Sequence, residues 1–355
     1  MTSRIRVGVI GTGTGTRMQI PAFIAHPAFE VTAVCSADLD RAREVADRFD
    51  IAFATDSEDE LAASAVDLVS VATPPTRHAS GVRAALRHRK HVMCEKPFAP
   101  SVAEASALLS EANEAGVRTF MNFEFRHAPG VAALRRLLDE GRLGEVRYVC
   151  LTDFTSLVVE QQHVLSRWWF SAEEGGGWLN AHGTHRLDLL RHLFGDIASV
   201  GAVLRTDVPR PQRRSGATLE STVDDGYAAL IQLASGATVV CFDGAAGPRG
   251  RGTVLEVVGD RGLAVLDGDE LRWRPSDGAF APLPDAPRPA TSADRYGQMF
   301  ARSLDDIAAA IRDGDASAPS FVDGLRNVEA VEAARDAAVT GGVRYLGRDV
   351  GTHGK

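Results

Sequence analysis

Two charged side chains follow a predicted buried strand and could act on a ligand. The run from His91 to Phe98 reads His-Val-Met-Cys-Glu-Lys-Pro-Phe, so an apolar strand ends in Glu95 and Lys96 before Pro97 turns the chain. In open α/β sheets, ligands bind outside the carboxyl ends of the strands. A single lysine at a strand end is usually a solvated surface group, so its interpretation depends on the rest of the chain.

A second set of residues that could do chemistry lies between positions 175 and 188. Three glycines lead into Trp-Leu-Asn-Ala-His-Gly-Thr-His-Arg-Leu-Asp, and a helix is predicted to continue to about Phe194. His185, Asp188 and His192 are spaced i, i+3 and i+7, which places them on one helical face. Such a face could hold a metal ion, but the sequence has no His-Glu-x-x-His zinc motif. We therefore predict no metal.

A glycine-rich turn directly follows the first predicted strand. Ile5–Ile10 is short, apolar and β-branched, and it leads through Gly-Thr-Gly-Thr-Gly-Thr-Arg into a predicted helix from Met18 to Ala25. Strand, glycine turn and helix form the context of a dinucleotide fingerprint, in which the helix N-terminus attracts the pyrophosphate. The third fingerprint position holds Thr16, and Gly15 stands one place early. Cofactor contacts are predicted at Gly11, Thr12, Gly13, Thr14, Gly15, Thr16 and Arg17.

The residue after the second predicted strand should distinguish NAD from NADP. An acid there binds the adenine ribose 2′-hydroxyl of NAD. The strand Phe29–Cys35 is instead followed by Ser36, and Arg41 lies on the next predicted helix. Ser36 leaves room without charge and Arg41 could reach a 2′-phosphate, which favours NADP over NAD. Asp38 could instead bind the hydroxyl of NAD.

Strands and helices of similar length alternate as far as residue 125, which predicts a doubly wound parallel sheet. One of these strands ends in Thr73-Pro74-Pro75. We predict that Thr73, Pro74 and His78 lie beside the nicotinamide half of the cofactor. His78 could equally be a solvent-exposed residue at the start of a helix.

Beyond residue 126 the pattern changes to strands separated by hairpin signals, such as Ala-Ser-Gly-Ala at 234–237. This pattern predicts a largely antiparallel open sheet with helices. The fold class is therefore α/β plus α+β, with an N-terminal doubly wound parallel sheet.

Composition excludes several classes of protein. The net charge of −8 argues against a nucleic-acid surface. The four cysteines are far apart and lie in strand-like runs, which suits reduced core thiols. No run of about 18 apolar residues occurs, and the chain starts as a strand without a signal peptide. We expect a cytoplasmic protein with neither a nucleic-acid nor a membrane partner.

Taken together, the motifs resemble the Gfo/Idh/MocA oxidoreductases, a family named after glucose-fructose oxidoreductase and inositol dehydrogenase. The resemblance covers roughly the first 200 residues. It rests on the glycine turn, Val-Ala-Thr-Pro-Pro-Thr-Arg-His at 71–78, Cys-Glu-Lys-Pro at 94–97, Asn-Phe-Glu-Phe-Arg at 122–126, Gly-Arg-Leu-Gly-Glu at 141–145 and His-Arg-Leu-Asp at 185–188. We predict a Rossmann domain at 1–123, a substrate and oligomerisation domain at 124–345 and a loose tail at 346–355. The resemblance also implies a homo-oligomer, either a dimer or a tetramer.

The resemblance implies roles for individual residues. Lys96 corresponds to the catalytic lysine, with a cis bond to Pro97, and His185 to the general acid/base that Asp188 follows. Glu95, Lys96 and Asn122 are expected among the cofactor contacts. The acid that the family usually carries four residues before the histidine is replaced by Ala181. The neighbouring His182 could fill that space.

An aromatic pair precedes the second glycine run. Arg167, Trp168 and Trp169 are suited to line a pocket for a polyhydroxylated ring, although one tryptophan could belong to the core. The polar segment 156–166 resembles a substrate loop. Substrate contacts are predicted at Lys96, Arg167, Trp168, Trp169, His182 and His185.

These residues suggest an NAD(P)-dependent oxidoreductase that transfers hydride between nicotinamide and a carbinol or carbonyl of a sugar, polyol or related small molecule. His185 would take the hydroxyl proton and Lys96 would stabilise the alkoxide, with Glu95 and Asp188 orienting them. Two alternatives remain open. One is a lyase or glycosidase that uses NAD transiently, and the other is a nicotinamide-sensing regulator without turnover.

Overall fold

The computed structural model describes residues 3–160, 165–211, 216, 218–282, 295–314 and 317–347. Its contacts divide the chain into two compact units, Met1–His127 with Thr291–Val328 and Ala128–Ala290 with Glu329–Lys355. Most of the predicted tail at 346–355 lies outside the described residues.

A parallel sheet forms the centre of the first unit. Its strands are β1 (Ile5–Ile10), β2 (Phe29–Cys35), β3 (Phe53–Thr55), β4 (Leu68–Val71), β5 (His91–Cys94) and β6 (Thr119–Met121). Within the described residues these six are ordered β3-β2-β1-β4-β5-β6, so the winding reverses between β1 and β4. This is a dinucleotide-binding order, and it confirms the predicted Rossmann sheet.

Helices connect these strands, and their ends follow local signals. They are α1 (Ile20–Ala25), α2 (Leu39–Phe49), α3 (Glu58–Ala63), α4 (His78–Arg87) and α5 (Val102–Ala115). Ser101 Oγ accepts from the amide of Glu104 and begins α5, and left-handed Gly116 ends it. The helix predicted from Met18 starts earlier, as a π-helical turn at Gly15–Gln19 that continues into α1.

A mixed sheet forms the centre of the second unit. Its strands are β7 (Val146–Phe154), β8 (Ile197–Arg205), β9 (Gly226–Leu233), β10 (Thr238–Gly244), β11 (Gly252–Gly259), β12 (Gly262–Asp267), β13 (Glu270–Pro275), β14 (Ala281–Pro282) and β15 (Arg344–Tyr345). In the described part of the chain their order is β14-β13-β12-β11-β7-β10-β9-β8-β15, and every pair is antiparallel except β7–β10. The predicted, largely antiparallel sheet is confirmed, although β13, β14 and β15 were not predicted.

The second unit also contains α6 (Pro129–Asp139), which precedes β7 in the chain, and α7 (Thr184–Phe194), which lies between β7 and β8. A π-helical turn at Leu179–Gly183 leads directly into α7. This turn and helix carry the second group of candidate site residues.

One long helix near the C-terminal end packs in the first unit. Helix α8 (Arg295–Asp313) places Phe300 and Leu304 in the same core cluster as Phe23 and Phe29. Helix α9 (Phe321–Thr340) begins in the first unit, where Phe321 packs on Phe98, and ends in the second. The predicted domain 124–345 therefore differs from the observed division, because its boundaries assumed that each domain is continuous in sequence.

Within the described residues, no helix is both long and apolar enough to cross a bilayer.

Candidate active site

The predicted cofactor residues of the first unit lie along one edge of its sheet. Strand pairing places Ile10, Val71, Cys94 and Met121 in one row across four neighbouring strands. The next residue of each strand is therefore at the carboxyl edge of the sheet. These residues are Gly11, Ala72, Glu95 and Asn122.

The glycines of the turn have different physical roles. Gly11 has φ +109°, and a Cβ there would lie 2.6 Å from the carbonyl oxygen of Ala72. A Cβ on Gly15 would lie 3.0 Å from Val9, so this glycine lets the π-helical turn pack on β1. A Cβ on Gly13 would meet no described atom within 4 Å. Gly11 and Gly15 are thus required by the fold, whereas the space beside Gly13 suits a ligand.

Several polar groups along this edge fit a nucleotide cofactor. The buried Oγ1 atoms of Thr16 and Thr73 and the Oδ1 atom of Asn122 have no hydrogen-bond partner among the described residues. Such groups are destabilising unless a ligand or water bonds them. Together with the open space at Gly13, they match the prediction that this edge holds a dinucleotide. Thr14 begins the π-helical turn, and Arg17 and Pro74 are exposed.

Two hydroxyl groups, and a carboxylate that caps the next helix, lie at the end of β2. Thr12 Oγ1 and Ser36 Oγ are 3.1 Å apart. The Asp38 carboxylate caps α2 by accepting from the amides of Asp40 and Arg41 at 3.0 and 3.3 Å. The Arg41 side chain pairs with Glu44 at 2.6 Å on the exposed face of α2.

A buried hydrogen-bond network holds Glu95. Its Oε1 accepts from Gln19 Nε2 at 2.7 Å and from Asn122 Nδ2 at 2.8 Å, and Gln19 Oε1 accepts from Ser70 Oγ at 2.7 Å. Lys96, the next residue, is partly exposed, and its bond to Pro97 is cis as predicted. Glu95 therefore fixes the backbone that presents Lys96.

His78 is buried between two loops of the first unit. Its Nε2 is 2.9 Å from the carbonyl oxygen of Thr73, and its Nδ1 is 3.3 Å from that of Phe98. Burial lowers the pKa of His78, so the ring is neutral and donates only one proton. We assign the hydrogen bond to the shorter contact, with Thr73. The geometry favours a brace for the loop after β4 over the predicted contact with nicotinamide.

The glycine run of the second unit is held by hydrogen bonds on both sides. Asp224 Oδ2 accepts from the amide of Leu179 at 2.7 Å, and a Cβ on Gly177 would lie 2.5 Å from Asp224 Oδ1. Asn180 Nδ2 donates to the carbonyl oxygen of Gly175 at 2.6 Å. These bonds fix the start of the π-helical turn that precedes α7.

The predicted acid/base residue lies in the first turn of α7. His185 and Asp188 are buried, and so is Ala181. His182 is also buried, and its ring stacks on Trp178 with centroids 4.4 Å apart and an interplanar angle of 21°. The same ring lies edge-to-face to His185 at 6.5 Å.

A row of polar side chains crosses the sheet beneath this turn. Strand register aligns Tyr227, Asp243, Asp153 and Thr253 on four neighbouring strands. Arg186 Nη2 donates to Asp153 Oδ2, and its Nε is 3.6 Å from Asp243 Oδ2. Thr253 Oγ1 donates to Asp153 Oδ2 at 2.5 Å. The cationic side chain thus bridges two carboxylates of neighbouring strands.

Asp243 is the most connected member of this row. It accepts from Trp178 Nε1 at 2.6 Å and from His182 Nδ1 at 3.1 Å, and Tyr227 Oη lies 3.4 Å away. Burial alone would raise its pKa, but interactions with His182, Arg186 and Trp178 outweigh burial and lower the pKa below its ordinary value. Asp243 is therefore ionised at neutral pH.

The aromatic side chains form one continuous series in the second unit. The ring centroids of Trp168 and Trp169 are 5.4 Å apart, and those of Trp169 and Trp178 are 6.0 Å apart. The Trp178 ring in turn stacks on His182. Both Trp168 and Trp169 are partly exposed, and Arg167 is exposed. In the predicted substrate loop, residues 161–164 lie outside the described residues.

Sequence reasoning missed several of these residues, among them Gln19, Asp153, Asp243 and Arg186. Gln19 was read only as part of a helix, and Asp153, Asp243 and Arg186 were not singled out. A signal for the two acids was present, because each occupies an inward position of an alternating strand after buried Val149 and Leu151 or Val239 and Cys241. Among the described residues, no group of three metal-binding side chains is close enough to hold an ion.

Known proteins match the chain along most of its length. Residues 5–123 match the family described as an oxidoreductase family with an NAD-binding Rossmann fold, and residues 131–265 match the C-terminal domain of the same family. A dTDP-3,4-didehydro-2,6-dideoxy-α-D-glucose 3-reductase from Streptomyces violaceoruber is 32% identical over 94% of this chain and 95% of its own.

A levoglucosan dehydrogenase from Pseudarthrobacter phenanthrenivorans is 28% identical over 91% of this chain and 93% of its own. The solved structure of a levoglucosan dehydrogenase with NADH and L-sorbose superposes with a TM-score of 0.85 at 25% identity, over 96% of this chain and 98% of the other. The chain belongs to the Gfo/Idh/MocA family and is an NAD-binding oxidoreductase.

Proposed function

We propose that this oxidoreductase transfers hydride between a nicotinamide cofactor and a carbinol or carbonyl carbon of a sugar or polyol. The observation that carries the proposal is the row of strand ends in the first unit. It brings the glycine turn, the loop at Thr73 and the Glu-Lys-Pro segment to one sheet edge. A bound nicotinamide would supply or accept the hydride there.

The chain's own residues supply charge and proton transfer in this proposal. Lys96 donates a hydrogen bond to the reacting oxygen and stabilises the alkoxide that develops. His185 takes the hydroxyl proton when the substrate is oxidised and returns it when a carbonyl is reduced. Asp188 lies one helical turn beyond His185 on α7 and orients it. Ordinary histidine titrates close to neutral pH, which suits this exchange.

A sugar is the substrate class that the second unit favours. Partly exposed Trp168 and Trp169 offer aromatic faces for the C–H side of a sugar ring. The relatives support the same class, since levoglucosan and a dTDP-linked keto sugar are the compounds in their names.

For the cofactor, we propose that the chain accepts NADP as well as NAD, with a preference for NADP. Ser36 stands where an acid would select NAD, and Asp38 caps α2 through its Oδ1 atom. A serine hydroxyl can bond a 2′-phosphate without the repulsion that a carboxylate would cause. We include NAD as a cofactor because the solved structure of the levoglucosan dehydrogenase contains NADH.

We also propose a homo-oligomer formed through the second sheet. Positions 239, 241 and 243 of β10 are buried, so 240 and 242 project from the opposite face. That face exposes large apolar side chains on four strands, namely Tyr148, Val203, Leu230, Val240 and Phe242. A large exposed apolar patch marks an interaction surface. Pairing of two copies through this face would bury the patch of each copy.

The experiment follows the absorbance of reduced nicotinamide. Purified protein is mixed with NAD or NADP and a panel that includes levoglucosan, simple polyols and free sugars, and dTDP-linked keto sugars are tested with NADPH. Lys96→Ala is run in parallel. Turnover with one compound that falls by about 10³-fold in the variant, while cofactor affinity is kept, would support the proposal.

Other outcomes would overturn it. Near-normal kcat in Lys96→Ala would remove the role of Lys96. Tight cofactor binding without turnover on the whole panel would favour a nicotinamide sensor. Product formation by elimination or hydrolysis, without net accumulation of reduced cofactor, would favour the lyase or glycosidase.

A further inference from the structure

We propose that His182 and Asp243 are positioning residues for His185, held in place by the Arg186–Asp153 ion pair. This inference rests on the proposed function of His185, but its structural part can be tested without any substrate. It assigns a role to the polar row beneath the π-helical turn, which the proposed reaction does not otherwise use.

The first step is the placement of the charges. Asp243 and Asp153 are register partners on the parallel pair β10 and β7, and both carboxylates project to the same side of the sheet. Asp243 and Asp153 are 0% and 2% exposed. Arg186 comes from α7, the helix that also carries His185, and reaches both. The charges therefore tie the helix of the acid/base residue to two strands.

The second step is the protonation state of His182. Its Nδ1 faces the Asp243 carboxylate at 3.1 Å, and its Nε2 is 3.4 Å from Arg186 Nη2. A guanidinium can only donate, so the ring nitrogen facing it must accept. The nitrogen facing the ionised carboxylate must donate. The two neighbours thus favour a proton on Nδ1 and leave Nε2 as the acceptor.

The third step is the path from His182 to His185. The π-helical turn ends at Gly183, and a Cβ on Gly183 would lie 3.1 Å from Tyr227 Oη, so the backbone sits close against the sheet. The His182 ring packs between the Trp178 ring and the polar row, which fixes its orientation. Its edge-to-face contact with His185 then restricts the orientation of the His185 ring. Both nitrogens of His182 face protein groups, so its geometry favours positioning over the predicted substrate contact.

The fourth step is energetic. Burying two carboxylates and a guanidinium carries a large desolvation cost, and well-packed apolar residues often give equal or greater stability. Fold stability therefore does not account for the row. A requirement for one orientation of the π-helical turn does account for it, because the network bonds His182, the residue after Ala181, to a carboxylate.

The first test uses the ligand-free protein. Long-range ¹H–¹⁵N spectra at neutral pH report which ring nitrogen of each histidine carries the proton. The His182 signal is identified as the one missing from the spectrum of His182→Asn. We expect the Nδ1-protonated form in the wild type. In Asp243→Asn the charged acceptor of Nδ1–H is lost while Arg186 still requires Nε2 to accept, so the Nδ1-protonated form should lose population to a mixture of both tautomers. A wild-type ring protonated on Nε2, or the same tautomer populations in Asp243→Asn as in the wild type, would overturn the proposal.

The second test is kinetic and uses the compound that shows turnover in the cofactor-reduction assay. Asp243→Asn and His182→Ala should lower kcat by about 10²-fold, as expected of a misplaced reacting group, with the KM for cofactor unchanged. His182→Asn keeps a donor near the Nδ1 position and should recover much of the loss. The matched control is Asp196→Asn, which breaks an exposed ion pair with Arg191 at the other end of α7.

The outcomes separate the two proposals. Normal kcat in both Asp243→Asn and His182→Ala would overturn the positioning role and leave the oxidoreductase function standing. Absence of turnover in the wild type would count against the proposed function. The tautomer measurement would still show whether Asp243 and Arg186 orient the His182 ring. Equal losses in His182→Asn and His182→Ala would contradict the role of the Asp243 bond.

Discussion

Gln19 Nε2 donates to Glu95 Oε1 at 2.7 Å and so joins the turn after β1 to the segment after β5. The two side chains are 76 residues apart in sequence and both are buried. The bond connects the element that would hold the cofactor to the carboxylate beside Lys96. We therefore expect cofactor binding and the placement of Lys96 to depend on one network.

Replacing Gln19 tests that dependence. Gln19→Leu removes the acceptor of Ser70 Oγ and one of the two donors to Glu95 Oε1, and it should lower the free energy of unfolding by about 1–3 kcal/mol. It should also lower kcat, because the backbone next to Lys96 loses one of its supports. Chemical denaturation and steady-state kinetics measure the two effects. Gln232→Leu, at a partly exposed hairpin glutamine, is the control, and equal effects of both substitutions would contradict the prediction.

Gly11 and Gly13 offer a matched pair of substitutions. Gly11→Ala places a methyl group 2.6 Å from a carbonyl oxygen at φ +109°, so we expect a loss of stability. Gly13→Ala meets no described atom within 4 Å, so stability should be kept while cofactor affinity falls about tenfold or more, since the methyl group occupies ligand space. Thermal unfolding and cofactor titration distinguish these results. Unchanged affinity in folded Gly13→Ala would place the pyrophosphate elsewhere.

We expect the choice between NAD and NADP to depend on Ser36. Ser36→Asp adds a carboxylate that bonds a ribose 2′-hydroxyl and repels a 2′-phosphate, so the ratio of NADP to NAD affinity should fall by about tenfold or more. Asp38→Asn is the control, because asparagine keeps the cap of α2 and removes only the charge. If Asp38→Asn rather than Ser36→Asp alters the ratio, then Asp38 reads the ribose.

The sequence predicted those parts of the site that depend on local order. Glu95 and Lys96 directly follow one predicted strand, and Gly11 directly follows another. Their position at the edge of the sheet could therefore be predicted without knowledge of the fold. The Gln19–Glu95 bond could not be predicted, since a glutamine inside a helical run does not reveal its partner. Likewise, the amphipathic pattern of α8 indicates a buried face but not the sheet that covers it.

The stability of the first unit should depend on the protonation of His127. Burial, together with the charges of Arg126 and Arg302, lowers the pKa of His127 from 6.5 to about 4. The unfolded chain therefore binds a proton more readily between these values, and stability falls as pH decreases through this window. At about pH 5 the loss from this group is about 2 kcal/mol.

His127→Gln removes the titrating group, so the variant should lose less stability than the wild type between about pH 7.5 and 5. Denaturant unfolding at the two pH values measures the difference. An identical loss in both proteins would show that His127 titrates alike in the folded and unfolded chain.

The outward face of the second sheet should control assembly. Val240 is 48% exposed in the middle of an apolar surface, and Val339, on α9, is 87% exposed. Val240→Lys would place an ammonium group within a paired face, and symmetry would bring its copy close by, so the oligomer should dissociate. Val339→Lys makes the same chemical change at the more exposed valine and should leave the mass unchanged. Light scattering after gel filtration measures both. A Val240→Lys protein with the wild-type mass would show that this face does not join the copies, and the apolar patch would then need a different partner.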